Sequence, residues 1–231
     1  MPTIEHAVIA VAGLGSRLGL GKPKCLVEVA GRCILEHQLD LLKEVPDVRL
    51  VVGYMEHDVI DAAFKLLPGV TIVRNPAYRS TTTQQSYWLG ARHLTGPCLY
   101  LDGDIIFEKE SFHAFLACAE RNAPLIGITP AKTEQAVFAF AQPGANGLFS
   151  VGGFSRSERT PWEWANIAYL PQGLLEENGG DVFSRLALHL PLSAQPVECC
   201  EVDTEADLAQ AETFAASLSR GHNTYLRGLG R

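Results

Sequence analysis

An α/β fold is expected, a single three-layer Rossmann-like domain with a mostly parallel mixed sheet and a small antiparallel excursion in its second half. Three observations predict it. Apolar runs of strand length alternate with stretches of helical period through the first half, the pattern of βα units laid on a largely parallel sheet with helices on both faces. The chain has 231 residues, 47% hydrophobic and 19% charged, enough to bury one sizeable core and short for two. Beyond about residue 130 the alternation weakens and turn residues multiply.

In chain order, "AVIAVAG" reads as a buried strand that ends in glycine, followed by the helical period of "ILEHQLDLLKEV", a strand "VRLVVGY" and a helix "HDVIDAAFKLL". The strand "VTIVRN", the helix "TQQSYWLGARHL", the strand "CLYLDGDIIF", the helix "ESFHAFLACAER" and the strand "PLIGIT" continue the series. "AVFAFAQ", the turn "GANG" and "FSVGGF" then suggest a meander. A strand "VECCEV" and the helix "TEADLAQAETFAASLSR", with Thr204 as its N-cap, close the domain over residues 1–220. The tail 221–231, "HNTYLRGLGR" after Gly221, has no evident apolar face. No internal repeat or low-complexity linker interrupts the chain.

Net charge is −7 and the pI about 5.5, a balance that argues against nucleic acid and anionic membranes as partners. "MPTIEHAVIAVAG" carries an acidic residue where a signal peptide is basic, and its apolar run is too short to span a bilayer. Cys25, Cys33, Cys98, Cys118, Cys199 and Cys200 form no CxxC pair and read as reduced core thiols. A cytoplasmic location is the expectation.

Against the acidic whole, one loop is basic. The first strand runs straight into Gly13, Gly15, Gly19 and Gly21, at the carboxyl edge of the sheet where open α/β folds bind ligands. Its backbone amides can turn toward phosphate oxygens, and Arg17, Lys22 and Lys24 add three cations within eight residues. Together these describe a cradle for a polyanion such as a triphosphate. A Walker A loop is rejected because Ser16 stands where its first glycine belongs and Pro23 follows Lys22. The dinucleotide fingerprint fails because Leu18 occupies its third glycine site, leaving a nicotinamide oxidoreductase as a distant alternative. A solvated surface turn is the bland alternative, against which Pro23 stiffens the approach to Lys24.

A bound triphosphate calls for a counter-cation such as Mg²⁺, a hard ion held by carboxylates and phosphate oxygens. In "LYLDGDIIF", Asp102 and Asp104 stand two apart beyond a buried strand and share one side of an extended backbone, a credible metal site beside a phosphate cradle; a DG turn with a capping aspartate is the bland alternative. In "CEVDTEADL", Asp203 ends a strand ahead of a helix, where it or Thr204 could serve as a cap.

"AVAGLGSRLGLGKPKCLVEVAGRCILEHQLDLL" resembles the signature of the nucleotidyltransferases with a glycosyltransferase-A-like fold: a strand, GxG(S/T)R, a short spacer, then PK. "VVGY", "RNPAY", "LYLDGDIIF" and "VECCEVDTEADLAQAE" follow in the family's order, so the likeness runs over about residues 5 to 215. Within the family the chain is most similar to the choline-phosphate and phosphonate cytidylyltransferases. The resemblance implies a Mg²⁺-dependent transfer of CMP from CTP to a small anionic acceptor of the phosphonoformate, 2-aminoethylphosphonate or phosphocholine type, with release of pyrophosphate. It implies that Arg17 grips the β and γ phosphates and that Lys24 holds the α-phosphate. Ala12, Gly13, Gly15, Ser16, Lys22 and Asp102 would bind nucleotide, and Asp104 with Asp203 the metal. A sugar-1-phosphate enzyme using UTP, GTP or dTTP is the alternative within the class, and a non-catalytic nucleotide sensor the alternative outside it.

The helix start in "RNPAYRSTTTQQSYWLGARHL" would lie near the base, with Gln85 and Ser86 as readers of a pyrimidine edge. "FSRSERTPWEWANIAYL" carries the acceptor candidates. Arg156 and Arg159 suit an anion, whereas Trp162, Trp164 and Tyr169 suit a quaternary ammonium or else a lid or homodimer contact. The seven histidines form no zinc-like spacing, and no GxSxG elbow appears.

Overall fold

A computed structural model describes residues 4–15, 17–132, 136–177 and 180–219; Ser16 and the tail 221–231 lie outside the described residues. The chain opens with β1 (His6–Ala10), a 3-10 turn (Lys24–Leu26), the short strands β2 (Glu28–Val29) and β3 (Arg32–Cys33), and α1 (Ile34–Leu41). Next come β4 (Asp47–Val52), α2 (Glu56–Leu66), β5 (Thr71–Arg74), α3 (Thr83–Ala91), β6 (Cys98–Asp102), β7 (Ile105–Phe107), α4 (Lys109–Ala119) and β8 (Leu125–Pro130). The second half holds β9 (Phe138–Pro143), β10 (Phe149–Ser155), β11 (Trp162–Leu170), α5 (Val182–Ala187), β12 (Leu192–Pro196), β13 (Cys199–Glu201) and α6 (Glu205–Ser219).

The main sheet runs β5-β4-β1-β6-β11-β8-β12-β10-β9. Its first four strands are parallel, joined by the helices read from the sequence. Alternation along β1 sets the layers. Ala7 and Ile9 enter one core with residues of α1, α2 and α4, while Val8 enters the other with Tyr87 of α3 and Leu186 of α5. Because both faces are covered, β1 is buried almost end to end, which is why its sequence is a continuous apolar run.

The antiparallel part is larger than the small excursion expected from the sequence. β11 pairs antiparallel with β6, β8 and β9, and β10 pairs antiparallel with β9 and β12; β8 and β12 are parallel. Since β11 meets both β8 and β9, strands β11-β8-β12-β10-β9 close on themselves. "WEWANIAYL" gave no alternation to reveal this strand, because eight of its nine residues are buried. A register shift lies between Trp164 and Ala168, with Asn166 at φ +50°. Such a bulge bends a strand and lets one end serve a second neighbour.

β13 carries the chain back to the site. It pairs antiparallel with β7, Glu201 against Ile105, and the Val202 N–H donates to the Asp104 carbonyl at 2.8 Å. Thr204 caps α6 as the sequence suggested: the Asp207 N–H donates to Thr204 Oγ1 at 3.2 Å, and Asp207 Oδ2 accepts from the Thr204 N–H at 2.8 Å. This reciprocal pair is a capping box with aspartate in the usual place of glutamate. Among the described residues no helix is long and apolar enough to cross a membrane. The cysteines form no disulfide, with Cys25, Cys98 and Cys199 buried and the other three half-buried.

Candidate active site

A cleft of about 880 Å³ opens at the carboxyl ends of β1 and β6, a volume within the range of small-ligand sites. Ala12, Gly13, Gly15 and Arg17 form one wall. Gly15 adopts φ +60°, and a Cβ there would lie 2.8 Å from Cγ of Lys24. The loop therefore folds tightly over the lysine stem, a contact only glycine permits. Pro23 precedes the 3-10 turn that starts at Lys24, so the side chain leaves a stiff corner.

Opposite the loop, β6 ends in Asp102 and the chain turns through Gly103 to Asp104. The Gly103 N–H donates to the Ala10 carbonyl at 3.0 Å, and a Cβ at Gly103 would sit 2.4 Å from Cγ1 of Val11. The aspartates thus press against the start of the glycine loop. Asp102 and Asp104 have different surroundings. Tyr87, fully buried on α3, donates its O–H to Asp102 Oδ1, and Gln38 donates to the Asp102 carbonyl at 2.7 Å. Burial, then repulsion from Asp104, raises the Asp102 carboxyl pKa well above the usual carboxylate range. Asp104 instead faces Lys24.

Lys24 joins the two halves of the site. Its Nζ donates to Asp104 Oδ2 at 3.1 Å and to Asp203 Oδ1, and Arg17 pairs with Asp203 Oδ2. Burial works to lower the Lys24 pKa, but Asp104 and then Asp203 outweigh it and leave the ammonium above its ordinary value. Asp203 spends its carboxylate on these cations, and the helix cap belongs to Thr204.

The sequence reading missed a third acid. Asp104, Asp203 and Glu201 each offer a carboxylate oxygen within 4.8 Å of the others. Glu201 is exposed as a residue, yet its carboxyl stands among these acids; lost hydration, then repulsion from Asp104, Asp102 and Asp203, raises its pKa. The strand end "CEVD" was a visible signal, since Glu201 and Asp203 share a face of an extended backbone. Three hard carboxylate donors at this spacing fit a divalent cation such as Mg²⁺.

Other candidates divide. Ser86 lines the cleft with Asn75, Tyr78 and Thr81 to Thr83. Asn75, 2% exposed, donates to Thr81 Oγ1 at 3.0 Å and Ser86 Oγ at 3.1 Å, which fixes the polar wall that the sequence reading placed on Gln85 and Ser86. Gln85 is not part of that lining. Arg156 lines the far end and lies over Phe183, and Trp164 faces the cleft. Arg159 lies over Phe138, Trp162 packs on Phe149, and Tyr169 is buried in the opposite core, so none of these three lines the cleft. Lys22 also stands apart from it. Placement of Ser16 falls outside the described residues.

Comparison with known proteins gives a consistent set of likenesses. Residues 7–212 match the family model described as a MobA-like NTP transferase domain. Over 125 residues, 51% of this chain and 20% of the other, the sequence is 38% identical to CMP-5'-(3-aminopropyl)phosphonate synthase of Streptomyces rubellomurinus. Over 107 residues, 42% of this chain and 46% of the other, it is 29% identical to 2-C-methyl-D-erythritol 4-phosphate cytidylyltransferase of Photobacterium profundum. The match thus spans less than half the length of these curated relatives. In fold, the chain is similar to the CTP:phosphocholine cytidylyltransferase of Streptococcus pneumoniae, with a TM-score of 0.73 and 20% identity over 91% of this chain and 98% of that one.

Proposed function

The chain belongs to the MobA-like NTP transferase domain family, and from that premise we propose that it is a Mg²⁺-dependent cytidylyltransferase acting on a small phosphonate or phosphate. The observation that carries this reading is the junction at Lys24, where the glycine loop's cations meet the carboxylates of two distant strand ends.

In the proposed reaction an acceptor oxyanion attacks the α-phosphorus of CTP, the bond to the β-bridging oxygen breaks, and pyrophosphate leaves. Backbone N–H groups from Ala12 to Gly15 and the guanidinium of Arg17 hold the β and γ phosphates. Lys24 meets the α-phosphate, where negative charge accumulates during in-line transfer, and such fixed donors supply most of the catalysis left to the protein. Asp104, Glu201 and Asp203 would hold Mg²⁺, which supplies charge neutralisation on the phosphates. Asn75 and Tyr87 are positioning residues, one for Ser86 and the other for Asp102. Thr82, Thr83 and Ser86 offer uncharged donors and acceptors to the base.

The test is pyrophosphate release by the full chain with Mg²⁺, four nucleoside triphosphates crossed with small phosphonates, phosphocholine and sugar 1-phosphates. Release confined to CTP with a phosphonate or phosphate is expected. Preference for UTP, GTP or dTTP with a sugar 1-phosphate would replace the reading, and nucleotide binding without turnover on any acceptor would leave a sensor.

A further inference from the structure

Helix α1 buries Ile34, Leu35, Gln38 and Leu39, so a fully buried amide stands on an otherwise apolar face. Gln38 Nε2 donates to the Asp102 carbonyl at 2.7 Å and to the Ile105 carbonyl at 2.9 Å. One side chain thus grips the backbone on both sides of Gly103 and Asp104. The grip has a cost. Gln38 Oε1 is buried without a hydrogen-bond partner, a penalty that leucine or methionine, of similar volume, avoids. Packing alone therefore does not account for a glutamine at this position, whereas its two donated bonds do.

Three elements converge on this turn. The Ala10 carbonyl at the end of β1 accepts from the Gly103 N–H at 3.0 Å, the Val202 N–H beyond β13 donates to the Asp104 carbonyl at 2.8 Å, and α1 contributes Gln38. The same helix is tied to the lysine. Its first residue, Ile34, donates its N–H to the Val27 carbonyl at 3.0 Å, directly after the turn Lys24–Leu26, and Gln38 lies one helical turn further on. Helix α1 is therefore a brace between the turn that carries Lys24 and the turn that carries Asp104. Across it, Lys24 Nζ reaches Asp104 Oδ2 at 3.1 Å.

We propose that Gln38 is a positioning residue: acting through the backbone, its amide sets the angle at which Asp104 presents its carboxylate to Lys24 and to a divalent cation. The role assumes the metal and nucleotidyl-transfer reading given above, but the brace itself rests on the hydrogen bonds of α1. Residues that orient metal ligands from behind are worth about 10- to 100-fold in metal affinity or activity.

The test compares Gln38→Leu, which keeps the volume and removes both donors, with Leu35→Ala, which opens a cavity on the same helix without touching the turn. Mn²⁺ affinity of the CTP-loaded full chain is read by electron paramagnetic resonance, alongside kcat and the KM for CTP at saturating Mg²⁺ and the urea midpoint. Gln38→Leu should weaken Mn²⁺ binding and lower kcat by at least tenfold, with the KM for CTP within threefold of wild type. Leu35→Ala should lower the urea midpoint more, yet leave Mn²⁺ affinity per folded molecule unchanged. Wild-type Mn²⁺ affinity in Gln38→Leu overturns the proposal, as does an equal loss in Leu35→Ala, which would make the effect one of general loosening. If Gln38→Leu does not fold, Gln38→Met carries the same comparison, and if neither folds Gln38 is a folding residue and the proposal falls. A wild type that binds Mn²⁺ with CTP but turns over no acceptor refutes the transfer reading while the Mn²⁺ comparison still decides Gln38; a wild type that binds no Mn²⁺ ends the metal assignment and the proposal together.

Discussion

Lys24→Ala removes the ammonium that spans Asp104 and Asp203, and it has two consequences of opposite sign. At 3.1 Å from Asp104, and with an effective dielectric near 20, the gross attraction is about 5 kcal/mol. Much of that is offset by the desolvation of a side chain only 17% exposed. The loss to folding stability should therefore be modest, roughly 1–3 kcal/mol. Turnover should suffer more, because a fixed donor to the developing charge is worth about 3–4 kcal/mol, or roughly 10²- to 10³-fold in kcat. In the free protein, however, the same ammonium competes with a divalent cation for the acid cluster. Without it, metal affinity in the absence of nucleotide should rise, by about tenfold for each 1.4 kcal/mol of competition removed. Pyrophosphate release reads the first effect, electron paramagnetic resonance of bound Mn²⁺ the second, and circular dichroism checks the fold. A folded variant with kcat within threefold of wild type, or with weakened Mn²⁺ binding, would refute the reasoning.

Three further outcomes are expected. Gly103→Ala places a Cβ 2.4 Å from Val11 Cγ1 and 2.7 Å from the Ala10 carbonyl oxygen; overpacking of this kind costs about 1–3 kcal/mol, so a urea midpoint equal to wild type would show that the two segments do not abut. Glu201→Gln should shift the Mg²⁺ concentration for half-maximal activity upward by about tenfold, and an unchanged Mg²⁺ dependence removes Glu201 from the ligand set. Burial pushes the Cys25 and Cys98 thiols far up and that of Cys199 up to about 12, so all three stay protonated and unreactive at pH 8. Alkylation followed by mass spectrometry should label half-buried Cys118 first and these three only in urea; prompt native labelling of Cys199 would contradict its burial.

The amino-acid sequence by itself determined the parallel half of the fold and the cradle. Continuous apolar runs in β1 and β6 reflect burial on both faces, the helices of this half repeat at helical period, and Gly15 with Pro23 and Lys24 is a local arrangement written within ten residues. Asp102 and Asp104 were legible for the same reason, as was the Thr204 cap. Tertiary structure decided the rest. It is the pairing of β13 with β7, extended by the bond from Val202 N–H to the Asp104 carbonyl, that brings Asp203 and Glu201 to Asp104 and Lys24, and no local spacing encodes a pairing across so long a stretch of chain. The closure through β11 was hidden because a strand buried on both faces loses its period of two and because the bulge at Asn166 changes its register. Arg159, Trp162 and Trp164 of "RTPWEW" were all acceptor candidates, yet the route of the strand places Trp164 on the cleft wall and leaves the other two on Phe138 and Phe149. A side chain's chemistry is fixed by its residue type, but the surface it faces is set by the partners its strand finds.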